Sequence, residues 1–310
     1  MADTKKLGTV DLLMILATVF WALNLTVIKI GLRHFPPHAF NSIRLFAAAL
    51  LLFLFLIVRK EPLRLSRGDL LRVAVLGILG NFCYQMLFIR GFTFTTASNA
   101  SLILATSPIF IALISSAFKL EHIAWTGWLG IAISFVGLYL VITQQSGGFR
   151  WSGSGLRGDL MILVGNTFWA AYTVFSKPLL DRMSPLKFST MTLAAGAAAY
   201  LLFAIPHLAR LDWKAVPAAS WLSLAYSGLF AIVLGYVFWY TSVKVMGSSK
   251  TAVYNNLTPV LAVLFAALFL GERIRAGQIL GAAVILAGVY LTRTGDRFFA
   301  KNKVVSHVPE

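Results

Sequence analysis

The chain has 310 residues, of which 58% are apolar and 12% charged, with a formal net charge of +16. A soluble domain carries about twice that charged fraction, so an ordinary water-soluble globule is excluded. The lysines and arginines gather in short loops beside apolar runs, where they read as topology signals and not as a nucleic-acid surface, and the single cysteine, Cys83, excludes a disulfide framework.

Apolar runs of about 20 residues, the length a helix needs to cross roughly 30 Å of hydrocarbon, recur ten times. They cover 12–32, 39–58, 70–89, 97–118, 124–142, 160–180, 188–205, 221–243, 251–270 and 276–292. The first is too long for a secretory signal and lacks a small-x-small exit, so it stays as a helix. It carries Trp21 and Asn24 about halfway along, and Lys29 near one end, from which a long basic side chain is expected to snorkel. Arg44 in the second span sits deeper, where a lone charge is costly, so it is expected to face a cavity or a partner. The third span brings Tyr84, Gln85 and Phe88. In the fourth, Asn99, Ser101, Thr106 and Ser107 lead into Pro108.

After the fifth span comes the longest internal polar break, rich in Gly and Ser. Its Gly153-Ser154-Gly155-Leu156-Arg157-Gly158 has dinucleotide-loop spacing, but no strand precedes it, so it is a linker. The sixth span sets Trp169, Tyr172 and Ser176 on one face. Ala194 to Ala198 in the seventh suit close helix packing, and the eighth supplies Tyr236, Trp239 and Tyr240. In the ninth, Thr251, Asn255 and Thr258 share a face beside Pro259.

The two halves repeat. At one constant offset Pro108 falls on Pro259, Glu121 on Glu272, Gly130 on Gly281, Gly137 on Gly288 and Tyr139 on Tyr290. At an offset three residues shorter, Asp11 falls on Asp159, Phe20-Trp21-Ala22 on Phe168-Trp169-Ala170, and Lys29 on Lys177. This gives a first repeat over 1–146, a linker over 147–158, a second repeat over 159–294 and a polar, disordered cytoplasmic tail over 295–310. Five spans is an odd number, so equivalent halves enter the bilayer from opposite sides as an inverted repeat. Most of the 27 Lys and Arg residues then lie on the side of the N-terminus, which the positive-inside rule places in the cytoplasm with the C-terminus.

The Phe-Trp-Ala opening of each half, the proline-to-glutamate run and the Gly-x6-Gly-x-Tyr-Leu ending resemble the drug/metabolite transporter superfamily, in particular its ten-helix EamA-type exporters. The resemblance covers nearly the whole chain. It implies an all-α membrane protein in which spans one to four and six to nine form a basket around a substrate cavity, with spans five and ten at the periphery. It implies a bacterial inner membrane and an exported amino acid, metabolite or drug.

The residues themselves limit the chemistry. None of the eleven acids falls in the middle of a span, so a carboxylate-driven proton antiport is not supported. Asp11, Asp159, Glu121 and Glu272 are expected to cap the helices they precede. Pro108 and Pro259 each remove an N–H and free a carbonyl, at Leu104 and Asn255, which makes either a static kink or a pair of hinges beside a substrate site. The cavity candidates are Trp21, Asn24, Arg44, Tyr84, Gln85, Asn99, Trp169, Tyr172, Tyr236, Trp239 and Asn255, amides and hydroxyls beside large apolar faces that suit a zwitterion or an organic cation. The five histidines lack metal spacing, and no catalytic motif, metal site or cofactor is expected. The reading is a secondary transporter that exports small metabolites, with amino acids or their derivatives favoured, by alternating access. Its partners are a small-molecule substrate and the lipid bilayer, with no nucleic acid, as a monomer or homodimer. Its rivals are a drug or toxic-cation exporter of the same fold, a channel or scaffold, and an intramembrane enzyme.

Overall fold

The structure is a computed structural model that describes residues 2–95, 97–143, 153–270 and 276–305. Among these every regular element is helical. The helices are α1 (Ala2–Gly31), α2 (Pro37–Val58), α3 (Arg67–Phe92), α4 (Ala97–Leu104), α5 (Ser107–Ala117), α6 (Trp125–Thr143) and α7 (Gly153–Leu180). They continue with α8 (Pro185–Ala209), α9 (Ala218–Met246), α10 (Ser248–Ala252), α11 (Leu257–Leu270) and α12 (Ala276–Val305). The predicted spans fall mainly on helix, with the fourth interrupted at Ala105 and Thr106 and the ninth wound as a 3-10 turn over Val253–Asn256. Among the described residues, six helical stretches are long and apolar enough to cross a bilayer: Gly8–Gly31, Pro37–Val58, Arg67–Phe92, Ala100–Ala117, Pro185–Ala209 and Ala218–Met246.

The chain is built inside out relative to a soluble protein. Leu202 and Leu222 are each 70% exposed, whereas Asn41, Asn81, Asn166 and Arg44 are buried. A hydrocarbon solvent rewards that arrangement, since lipid tails are as apolar as leucine and polar groups find partners only inside the bundle.

The halves interlock. α2 packs on α8, α3 on α7, and α1 on α9 and α11, while α6 and α12 pack mainly on each other at the side. Their crossing explains the paired glycines. A Cβ at Gly130 would stand 2.7 Å from the Gly288 carbonyl oxygen, and one at Gly137 would stand 2.7 Å from that of Gly281. Early α6 therefore meets late α12, so the two helices run antiparallel. Because Gly130 is the repeat mate of Gly281 and Gly137 of Gly288, exchanging the halves maps one contact onto the other. A two-fold axis that relates antiparallel helices lies across them, which is the geometry of an inverted repeat.

Both halves also share an irregularity. α3 is wound as π-helix over Ile78–Cys83 and α9 over Ser227–Leu234, at matching positions. Such wider turns loosen the regular carbonyl ladder and recur at functional sites.

Two expectations on element ends are corrected. α1 starts at Ala2 and α7 at Gly153, so Asp11 and Asp159 lie within helices and do not cap them. α12 runs on to Val305, so the residues after Thr294 are helical as far as that point and not disordered. Hydropathy marks where lipid ends, whereas Lys, Arg and Ala carry a helix onward into water.

Candidate functional site

The predicted breaks are real interruptions. In the first half the chain turns through Ala105 and Thr106 between α4 and α5, just before Pro108. In the second, Val253–Asn256 is a 3-10 turn between α10 and α11, just before Pro259. The carbonyl of Leu104, deprived of its donor by Pro108, has the Ser107 hydroxyl 2.5 Å away. Asn166 of α7 then clamps the break. Its Nδ2 donates to the Ile103 carbonyl at 3.1 Å and to Thr106 Oγ1 at 3.1 Å, and its Oδ1 lies 2.6 Å from Ser107 Oγ. A break in a bilayer survives only with such partners.

Both breaks open onto one cavity between the halves. Leu104 and Ser107 line it from the first break, Asn255 and Thr258 from the second. Of the candidates read from the sequence, Trp21, Asn24, Arg44, Tyr84, Gln85, Trp169, Tyr236 and Asn255 line this same cavity. Phe88, Leu25 and Ile232 add apolar wall. Tyr172 and Trp239 stand one layer back. Their rings lie 5.7 Å from that of Trp169, with Tyr172 Oη 2.7 Å from Thr192 Oγ1 and Trp239 Nε1 donating to Thr173 Oγ1 at 3.3 Å. The Asn99 side chain lies outside the described residues.

Sequence periodicity grouped the aromatic residues, and the π-turn of α9 holds one of them. Trp21 Nε1 donates to the Ala231 carbonyl at 2.8 Å, an oxygen within the wide turn of α9. That bond leaves the face of its ring for other contacts. Gly235, just beyond the same turn, has Trp21 Nε1 2.7 Å from where a Cβ would be, so only glycine admits the indole there.

Arg44 is 1% exposed and among the described residues faces only neutral partners. Nη1 donates to Ser227 Oγ at 2.7 Å, and Nη2 to Gln85 Oε1 at 2.8 Å and to Asn41 Oδ1. Gln85 Nε2 in turn donates to Tyr236 Oη at 3.0 Å. Among the described residues, Nε of Arg44 and Oδ1 of Asn24 have no hydrogen-bond partner.

The remaining acids and lysines take roles the sequence did not assign. Asp11 accepts from Tyr254 Oη at 2.5 Å, and its repeat mate Asp159 accepts from Thr95 Oγ1 at 2.5 Å, so each ties its helix to the other half. Lys29 does not snorkel. Its ammonium donates to the carbonyls of Phe92 and Thr95, both at 2.7 Å, closing the C-terminal end of α3 where cations are favoured. Lys177 makes the matching approach to the Lys244 carbonyl of α9 at 3.5 Å.

Glu121 caps a helix, though not its own. Its carboxylate accepts from the amides of Ser248 at 2.5 Å and Ser249 at 3.0 Å, at the start of α10. Gly247 there has φ +88 and packs against the carboxylate, a conformation that favours glycine. Glu272 lies outside the described residues. We expect Glu121→Gln to lower the thermal midpoint of the purified protein, by the roughly 1–2 kcal/mol of a charge-assisted cap. An unchanged melting curve would refute this role.

Sequence reading missed Asn166, Asn41 and Ser227. The matching signal for Asn166 was present as an amide three residues before the Trp169 of Phe-Trp-Ala, but its partners lie in the other half.

The EamA-like transporter family model matches residues 8–143 and again 156–294, one match per repeat. The chain is 29% identical over 282 residues to "Uncharacterized transporter YyaM" of Bacillus subtilis, covering 90% of this chain and 91% of that one. It is 28% identical to the "Probable terminal-alkyne amino-acid exporter" of Streptantibioticus cattleyicolor, covering 92% and 94%. A solved crystal structure superposes with a TM-score of 0.77 at 19% identity, covering 94% of this chain and 99% of that one, which bears on fold alone.

Proposed function

This chain belongs to the EamA-like transporter family, and from that premise we propose that it exports small metabolites, amino acids or their derivatives foremost, by alternating access. The observation that carries the proposal is the meeting of two helix breaks, one from each inverted half, on one cavity between the halves. Broken helices at matching positions let one half rock against the other about a site near mid-depth. A channel has no need of an aromatic chamber with paired breaks. The amino-acid preference rests on amides, an arginine and large aromatic faces in one chamber, and on the name of the relative called "Probable terminal-alkyne amino-acid exporter". The excess of Lys and Arg on the N-terminal side supports an orientation with both termini in the cytoplasm. A toxic-cation exporter fits less well, because the chamber holds a buried arginine and, among the described residues, no acid lines it.

Proteoliposomes should show uptake of radiolabelled amino acid that saturates and is accelerated by unlabelled substrate on the far side. Flux that rises linearly without counterflow would remove the carrier reading. In the same assay Asn255→Ala should cut uptake at least tenfold with the folded yield preserved. Transport at the normal rate would take the second break out of the substrate path.

A further inference from the structure

The internal repeat supplies its own control for what each cavity position does. α2 and α8 both begin with a proline at the first helical position, Pro37 and Pro185, at the offset that also pairs Trp21 with Trp169. At that offset Asn24 is the mate of Tyr172, and Arg44 the mate of Thr192. The surroundings agree, because a Cβ at Gly77 would meet the Thr192 carbonyl oxygen, and a Cβ at Gly228, which pairs with Gly77 at the longer offset that also aligns Pro108 with Pro259, would find the Arg44 carbonyl oxygen nearest. In the second half the pair is closed, with Tyr172 Oη and Thr192 Oγ1 hydrogen-bonded at 2.7 Å. In the first half the equivalent pair, Asn24 and Arg44, is left open, each with a buried polar atom that has no partner among the described residues and each lining the cavity.

The chemistry of the open pair is complementary to a zwitterion. Arg44 is a full positive charge in a site that lipid surrounds, held among the described residues by neutral oxygens. Among the described residues every ion pair lies elsewhere, joining Asp69 to Arg72 and Arg182, and Lys177 to Asp181. A buried charge of one sign is stabilised most by a ligand of the other, and a guanidinium is shaped for a carboxylate. The amide oxygen of Asn24 is an acceptor that suits a donor, and the faces of Trp21 and Trp169 beside it attract a cation.

We propose that Arg44 determines substrate specificity by binding the carboxylate of the transported molecule, while Asn24 and the two indoles receive its ammonium end. The Tyr172–Thr192 pair closes the matching place in the second half, so the chamber holds one substrate in one orientation. This rests on the reading of the chamber as the substrate site.

The test uses the purified full chain and three matched probes: L-phenylalanine, hydrocinnamate, which lacks the ammonium, and phenethylamine, which lacks the carboxylate. The same set is repeated with L-leucine, isocaproate and isoamylamine. Thermal shift and competition in counterflow are both read. The amino acid and the acid should raise the midpoint and compete, with the amine at least tenfold weaker. Arg44→Gln should remove that difference, and Arg44→Lys should restore part of it. Asn24→Asp, which places an acid in the chamber, should weaken the carboxylates and strengthen the amine, and it decides the matter if Arg44→Gln does not fold. Amines that bind the native chain as well as acids, or an Arg44→Gln variant that still prefers acids, would overturn the role of Arg44 and leave the chamber as a site. No binding by any of the six probes would overturn both.

Discussion

A leucine at Gly288 should abolish the folded protein. A Cβ there would stand 2.3 Å from Ser134 Oγ and 2.6 Å from both the Ser134 amide nitrogen and the Gly130 carbonyl oxygen, so the obstacle is mostly backbone that cannot turn aside. The mate contact is as tight, since a Cβ at Gly137 would lie 2.6 Å from the Ile285 amide nitrogen. In lipid the hydrophobic effect gives no help in holding two helices together, and what remains is close packing. Forcing α6 and α12 apart forfeits it and adds overpacking strain of about 1–3 kcal/mol per intruding side chain. Gly288→Leu should thus leave little monodisperse protein after detergent extraction, and Gly288→Ala should lower the melting midpoint. Gly68→Ala is the control, because a Cβ at Gly68 meets nothing within 4 Å. Native yield and melting in Gly288→Leu would mean that the two peripheral helices do not cross at these glycines.

That crossing shows why so much of the fold was legible. A duplicated chain states each structural requirement twice, so a residue pair at constant offset, such as Gly137 and Gly288, marks geometry and not chance. The same logic exposed the breaks at Pro108 and Pro259 and the mid-span pair Trp21 and Trp169. What stayed hidden is non-local. Nothing near Glu121 in the sequence says that it caps α10 across the molecule, and nothing near Asn166 says that it holds the turn at Thr106. The π-turns escaped as well, because Ile78–Cys83 and Ser227–Leu234 contain no proline and their apolar pattern suits an ordinary helix. Asp11 misled because a carboxylate at the edge of an apolar run resembles a cap, whereas α1 had begun nine residues earlier, at Ala2.

Trp169→Ala should stop transport, with uptake down at least tenfold, equivalent to about 1.4 kcal/mol of lost transition-state stabilisation. Trp169 is where the aromatic walls of both halves meet. Its ring lies 5.3 Å from Tyr84 and 6.3 Å from Trp21 of the first half, and 5.4 Å from Tyr236 and 5.7 Å from Trp239 of the second. Edge and tilted contacts of this kind contribute about 0.5–1.5 kcal/mol each beyond burial, and truncating a buried tryptophan costs about 3–5 kcal/mol in a closed core. Here the ring borders an existing cavity, so the space left behind joins a chamber and creates no sealed void. The protein should therefore fold with a lowered midpoint while the chamber loses the wall that a substrate presses against. Trp169→Phe separates the two roles. It keeps an aromatic face of reduced area, so it should restore most of the melting midpoint, with transport recovered through a raised KM at near-native maximal rate. If Trp169→Ala carries substrate normally per folded molecule, the aromatic junction is only packing, and the transported molecule passes through this bundle by another route.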